Sequence, residues 1–358
     1  MSLEIIKPDI NLNFIGNRYK AFAVSAVLIL LSLGSIAFHR GLNLGVDFKG
    51  GLLLQVRLAD DPGAEALREV LDAAGMSISS LQGLGSDADH EYLINISEGP
   101  AAEGMNLSQT AVAAMEGSLG ADNVEVRREE MVGPKVGQDL RQKALYAIYY
   151  SILIIIIYLS GRFEQKWFVP IIFVAILLGV IYVVSLFGVG VGALIITALI
   201  VTLVTCYYMK FSFALGGILA LIHDVVITAG VFSFLDKEIT LSFVAAILTI
   251  IGYSLNDSII VFDRIRENTQ INRKADLAVI INKSINQTLS RTILTSGTTL
   301  LALVSLYFLG GPVNRDFALA LMIGITVGTM SSIFLASPVL LLWEKTKSSI
   351  KKDAAPAR

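Results

Sequence analysis

Apolar runs of about 20 residues, the length an α-helix needs to cross a bilayer, recur along this chain and leave it little choice of architecture. Eight are read, near 20–38, 143–160, 168–187, 190–209, 213–235, 241–262, 292–310 and 317–343. An unpaired backbone amide costs several kcal/mol in hydrocarbon, so each run is expected to be helical. Of the 358 residues, 54% are hydrophobic and 16% charged, where a soluble domain carries about 25% charged residues. The net charge of −2 argues against a nucleic-acid partner, which calls for a basic surface. A single cysteine, Cys206, lies in an apolar run. It makes neither an internal disulfide nor a thiolate cluster and reads as a small buried residue.

Lys and Arg near the span ends set the orientation. Lys7, Arg18 and Lys20 precede the first span, Arg162 and Lys166 follow the second, and Lys210 follows the fourth. Arg264, Arg266, Arg273, Lys274 and Lys283 fill the loop after the sixth, and Lys345, Lys347, Lys351 and Lys352 follow the eighth. The opposite loops are poor in cations: Asp236-Lys237-Glu238 is net acidic, and Arg315 sits beside Asp316. Both termini are therefore expected in the cytoplasm and the soluble segment outside. The expected plan is a cytoplasmic 1–19, a first helix 20–38 read as an uncleaved anchor, and an outer domain 39–142. A bundle 143–343 and a cytoplasmic tail 344–358 complete it.

The outer segment alternates strand and helix signals. Leu52–Leu58 reads as a strand. Pro62–Ala74 reads as a helix with Asp61 as cap, Pro62 in its first turn and Gly75 as stop. Strands follow at Ile78–Leu84 and Tyr92–Ile96 across a Gly/Asp/Ser turn, then a helix at Leu107–Leu119 and a strand at Val124–Arg128. This β-α-β-β-α-β order is the ferredoxin-like arrangement. The expected fold class is an α-helical polytopic membrane protein of about eight spans with a small α+β ferredoxin-like outer domain.

Ionisable groups at membrane depth are costly and point to function. His223 and Asp224 lie in the fifth span, Asn256 and Asp257 in the sixth, and Arg291 opens the seventh. Helical spacing groups them. Tyr253 and Ser254 lie one turn before Asp257, while Thr249, Gly252 and Asn256 share a face. Thr288, Thr292, Thr295 and Thr299 form a stripe with Arg291 at its edge. Burial favours a neutral acid and a nearby arginine favours a carboxylate. An aspartate held between those pressures is suited to load and release a proton, and one charge crossing 100 mV is worth about 2.3 kcal/mol. Asp257 and Arg291 are thus the proton-relay candidates, with Ser254, Asn256, Thr292, Thr295, His223 and Asp224 as a supporting polar network. Structural readings stand beside these: Asn256 and Asp257 hydrogen-bonding a neighbouring helix, Arg291 snorkelling to the interface, and His223-Asp224 serving packing or a local hydrogen bond. Gly324 and Gly328, with Gly216 and Gly217, allow close helix approach. Nucleotide loops, Ser-His-Asp sets and metal-binding His pairs find no match, so no catalytic or metal residue is assigned.

These residues resemble the SecF family of the SecDF export complex, within the resistance-nodulation-division superfamily. Asp47-Phe48-Lys49-Gly50-Gly51 resembles its D-F-x-G-G text, and Val132–Gly137 its entry to the second span. Phe213–Gly217 and Leu221–Val225 are similar to its fifth span. Ile251–Ser258 with Val261–Asn268 is the most specific match, and Arg291-Thr292 opens the next helix. The resemblance covers about residues 12–345. It implies an RND-like bundle in the bacterial inner membrane that works with SecD, the SecYEG channel and YajC. It also implies that protons are the coupling ion, with no other cofactor, and that unfolded exported polypeptides are the substrate. It carries the proton-path carboxylate onto Asp257 and the arginine onto Arg291, and it places Asp47, Phe48, Gly50 and Gly51 at the outer membrane face. One departure stands out: residues 166–210 form an inserted hairpin, expected at the lipid-facing periphery. Two other readings remain open, a small-molecule or lipid exporter of the same superfamily and a non-transporting scaffold subunit.

Overall fold

The structure, a computed structural model, describes residues 10–60, 62–84, 90–97, 107–164, 168–186, 190–209 and 211–343. Helix α1 (Arg18–Phe38) leads to a short α2 (Val46–Lys49) and then to the mixed segment. That segment comprises β1 (Gly51–Leu58), α3 (Ala64–Ala73), β2 (Ser77–Leu84), β3 (Glu91–Ser97), α4 (Leu107–Leu119) and β4 (Val124–Val132). The chain continues as α5 (Pro134–Glu164), α6 (Phe168–Ser185), α7 (Val191–Met209) and α8 (Ser212–Phe234). It ends with α9 (Leu241–Ile271), α10 (Leu277–Leu309) and α11 (Pro312–Ser331), which runs on through a π-helical turn, Ser332–Ala336.

Six of these helices are long and apolar enough to cross a membrane: α1, α5, α8, α9, α10 and the segment Asn314–Trp343 that contains α11. The expected count was eight. In the hairpin the apolar stretches run Val174–Val184 and Gly192–Tyr208. At about 1.5 Å per residue the whole helices, 18 and 19 residues long, rise about 27 and about 28 Å, close to a hydrocarbon core of about 30 Å. Helix α7 packs against α5 and α8, burying Ala198, Thr202 and Cys206. The outer side of the pair, with Ile172, Ile176, Tyr182, Ile196 and Ile200, is exposed and apolar.

The sheet is antiparallel throughout, in the order β2-β3-β1-β4. Alternate residues of β1, Leu52, Leu54, Val56 and Leu58, are buried with Ile94 and Ile96 of β3. They pack under Leu67 and Leu71 of α3 and Ala111 and Met115 of α4, each such aliphatic side chain stabilising by about 1.5–3 kcal/mol. Helix α3 starts later than expected. Gly63, at φ 82°, is its N-cap, so Pro62 lies outside the first turn. Strand β4 runs four residues past its expected end, to Val132, because β1 pairs with it along its whole length. Asp61, the turn at 85–89 and the tail 344–358 lie outside the described residues.

The D-F-x-G-G segment joins the sheet to the long helices, with α2 packed on β1, β3 and α5. Gly50 and Gly51 take φ 81° and 140°, a region that L side chains rarely enter. A Cβ on Gly50 would lie 2.9 Å from the Pro134 backbone, and one on Gly51 would overlap the Ile96 carbonyl. Asp47 Oδ2 accepts the Leu241 backbone N–H at 2.8 Å at the start of α9. Asn43 and Gly45 exchange backbone bonds with Ile239 at 2.7 and 2.9 Å.

Candidate functional site

Asp257 is completely buried, on the side of α9 that packs against α10 and α11. Its Oδ2 accepts a long hydrogen bond, 3.4 Å, from Ser296 of α10. Ser296 in turn meets the Thr329 hydroxyl of α11 at 2.7 Å. Asp257 Oδ1 has no partner among the described residues, and neither does the buried Thr292 hydroxyl, one turn before Ser296. A buried polar atom left unpaired costs about 1–3 kcal/mol. Two packed helices, α9 and α10, therefore each carry a buried polar atom with unused hydrogen-bonding capacity.

Arg291 is exposed and forms no ion pair with Asp257 within 4.0 Å among the described residues. The two candidates thus lie on packed helices, α9 and α10, without an ion pair between them among the described residues.

The second acid is placed differently. His223 Nδ1 lies 2.9 Å from Asp224 Oδ1, with both residues buried. Asp224 Oδ2 accepts from Ser254 of α9 at 2.6 Å and from Ser331 of α11 at 2.9 Å. Ser254, grouped with Asp257 on sequence spacing, therefore turns to Asp224. Gly328 leaves room for this crossing, since its Cβ would lie 3.0 Å from Ser254 Cβ and 3.4 Å from Asp224 Oδ2. Asn256 points to the exposed face of α9 with Ala245, Thr249 and Gly252. Thr295 donates to the Arg291 carbonyl of its own helix at 2.9 Å. Tyr253, in contrast, bridges to Thr299 of α10 at 3.1 Å.

Ser331 and Thr329 were not singled out by sequence. Serine and threonine are common in spans, and only the packing of α11 against α8, α9 and α10 gives these two partners.

Two family models match: "Protein export membrane protein SecD/SecF, C-terminal" over residues 111–191 and 185–346, and "SecD/SecF GG Motif" over 36–61. The chain belongs to the SecD/SecF family of export membrane proteins. Within it the relatives are SecF. The protein translocase subunit SecF of Desulfurispirillum indicum is 40% identical over 333 residues, covering 92% of this chain and 91% of that one. The Thermodesulfovibrio yellowstonii subunit is 39% identical over 346 residues, covering 96% and 97%. Among solved structures, a SecDF from Thermus described as a translocon-associated membrane protein matches with TM-score 0.67 at 30% identity, over 95% of this chain. SecDF in a super-membrane-facing form matches with TM-score 0.62 at 32% identity, over 97%. The chain spans 40% of each of those SecDF chains.

Proposed function

We propose that this chain is the F half of a SecD–SecF pair in the bacterial inner membrane. As an accessory, non-enzymatic subunit of Sec translocation, it couples inward proton flow to the pulling and release of exported unfolded polypeptides. Asp257 takes up and releases the proton, and Arg291 biases its charge state. The observation that carries this reading is a fully buried acid with one oxygen loosely held by Ser296 and the other unpartnered. A purely structural carboxylate is expected to be saturated, as Asp224 is.

In this reading both termini are cytoplasmic and the sheet, taken as a ferredoxin-like domain, is periplasmic. The α6–α7 hairpin adds two crossings to the six. SecYEG and YajC are further partners. SecD docks on the exposed face formed by Ala245, Thr249, Gly252 and Asn256 of α9 with Arg291 of α10. Small and polar residues on a membrane-facing surface suit helix contact better than lipid.

The test is export in cells carrying Asp257→Asn. The variant co-purifies with SecD in normal yield, while secretion loses its dependence on the proton gradient. Secretion that still follows the gradient removes Asp257 from the mechanism.

A further inference from the structure

The loop Asp236-Lys237-Glu238 reads in sequence as a short acidic connection, but one of its members is not at the surface. Glu238, between α8 and α9, is 8% exposed, and Asn95, in the middle of β3, is 5% exposed. Asn95 Nδ2 donates to Glu238 Oε2 at 2.7 Å and to Ser80 Oγ of β2 at 2.9 Å. Both amide hydrogens are then committed. The remaining oxygens, Asn95 Oδ1 and Glu238 Oε1, are buried with no partner among the described residues.

Two orphaned acceptors on a pair already joined by one hydrogen bond make an unstable arrangement. A carboxylate oxygen and an amide oxygen only accept, so neither satisfies the other. A proton on Glu238 resolves both at once. Its O–H becomes a donor to the amide oxygen, and the pair closes reciprocally, amide to carboxyl and carboxyl to amide.

We infer that Glu238 and Asn95 form a proton site outside the membrane-spanning helices, whose occupied state latches the sheet to the α8–α9 loop. The contact is placed to act on domain position. The loop is anchored below by Lys237 to Asp316 of α11 at 2.9 Å, and Asn95 belongs to the sheet.

The charged groups around it are Lys49 of α2, which favours the carboxylate, and Asp316, which favours the acid. Asp47 is bonded to the Leu241 N–H and Asp236 to the Asn43 amide. Burial is the largest influence and holds the Glu238 carboxyl above the ordinary glutamate range, opposed by hydrogen bonds from Ser80 and Asn95 and by Lys49. A raised value means the neutral acid belongs to the latched state. The latch is complete below the ordinary glutamate value and weakens as pH rises through the raised one. The site does not require Asp257 to carry protons. Only its facing the acidic side of the gradient rests on the orientation proposed above.

The experiment places spin labels at positions 129 on β4 and 309 at the end of α10, both exposed, in full-length chain with Cys206→Ala, in lipid nanodiscs. Distance distributions are recorded across a pH series from about pH 4, below the ordinary glutamate value, to about pH 9. Without further change, the distribution is narrow at the low-pH end and broad or shifted at the high-pH end. Glu238→Gln keeps it narrow at both, because glutamine presents the donor that the acid presents when protonated. Glu238→Ala leaves it broad at both. The inference is overturned by a parent protein indifferent to pH or by a glutamine variant that is broad or titrates like the parent. A narrow alanine variant overturns it as well.

Discussion

Ser331 of α11 and Asp224 of α8 are joined by a 2.9 Å hydrogen bond, and the same carboxylate oxygen accepts from Ser254 of α9 at 2.6 Å. One buried acid therefore ties three helices together, while Asp257, in the next turn of α9 after Ser254, is held by a single long contact. The chain contains one satisfied acid and one unsatisfied acid in the same bundle.

The satisfied acid is expected to behave as structure. Ser331→Ala and Ser254→Ala each destabilise the protein by about 1 kcal/mol. Because they share Asp224 Oδ2, the double variant is not the sum of the two. Denaturant unfolding in mild detergent measures both effects. Full additivity would mean the bonds are independent.

Close packing on α8 is expected to be intolerant of a methyl group where the exposed face of α9 is not. A Cβ on Gly216 would lie 2.7 Å from the Ala336 carbonyl, a backbone atom that has to move, so Gly216→Ala costs about 1–3 kcal/mol. Nothing lies within 4 Å of a Cβ on Gly252, so Gly252→Leu changes the stability of the isolated chain by less than about 0.5 kcal/mol. If SecD docks on that face, the same leucine abolishes co-purification with SecD. Retained co-purification moves the interface elsewhere.

Removing residues 166–210 is expected to leave the other helices inserted and bound to SecD. It lowers the thermal midpoint, because α7 buries Ala198, Thr202 and Cys206 against its neighbours. Pull-down together with a melting curve checks this. Loss of SecD would make the hairpin part of the interface.

The positions of the helices were legible because lipid permits few alternatives, and the alternation of Leu52, Leu54, Val56 and Leu58 announced β1. The C-terminal end of α9 and the N-terminal half of α10 were not. Residues such as Asn282, Asn286 and Gln287 carry no membrane signal, yet α10 begins at Leu277. Its Asn282 and Asn286 bind the backbone of Leu12 and Phe14. The cost of a charge at membrane depth singles out Asp257, and the structure buries it. The choice of Ser254 between two acids was not legible, because spacing on α9 places it near Asp257 and only the approach of α8 across Gly328 assigns it to Asp224. The burial of Glu238 depends on a contact 143 residues away with Asn95, and no local pattern announces it.

The most direct test of the central claim is infrared difference spectroscopy of the SecD-bound chain, titrating the outer pH and following the carbonyl band of protonated carboxyl groups. The account predicts a band that appears and disappears reversibly with pH, is absent in Asp257→Asn, and is shifted along the pH axis by Arg291→Gln. A titrating band that survives unchanged in Asp257→Asn would contradict it.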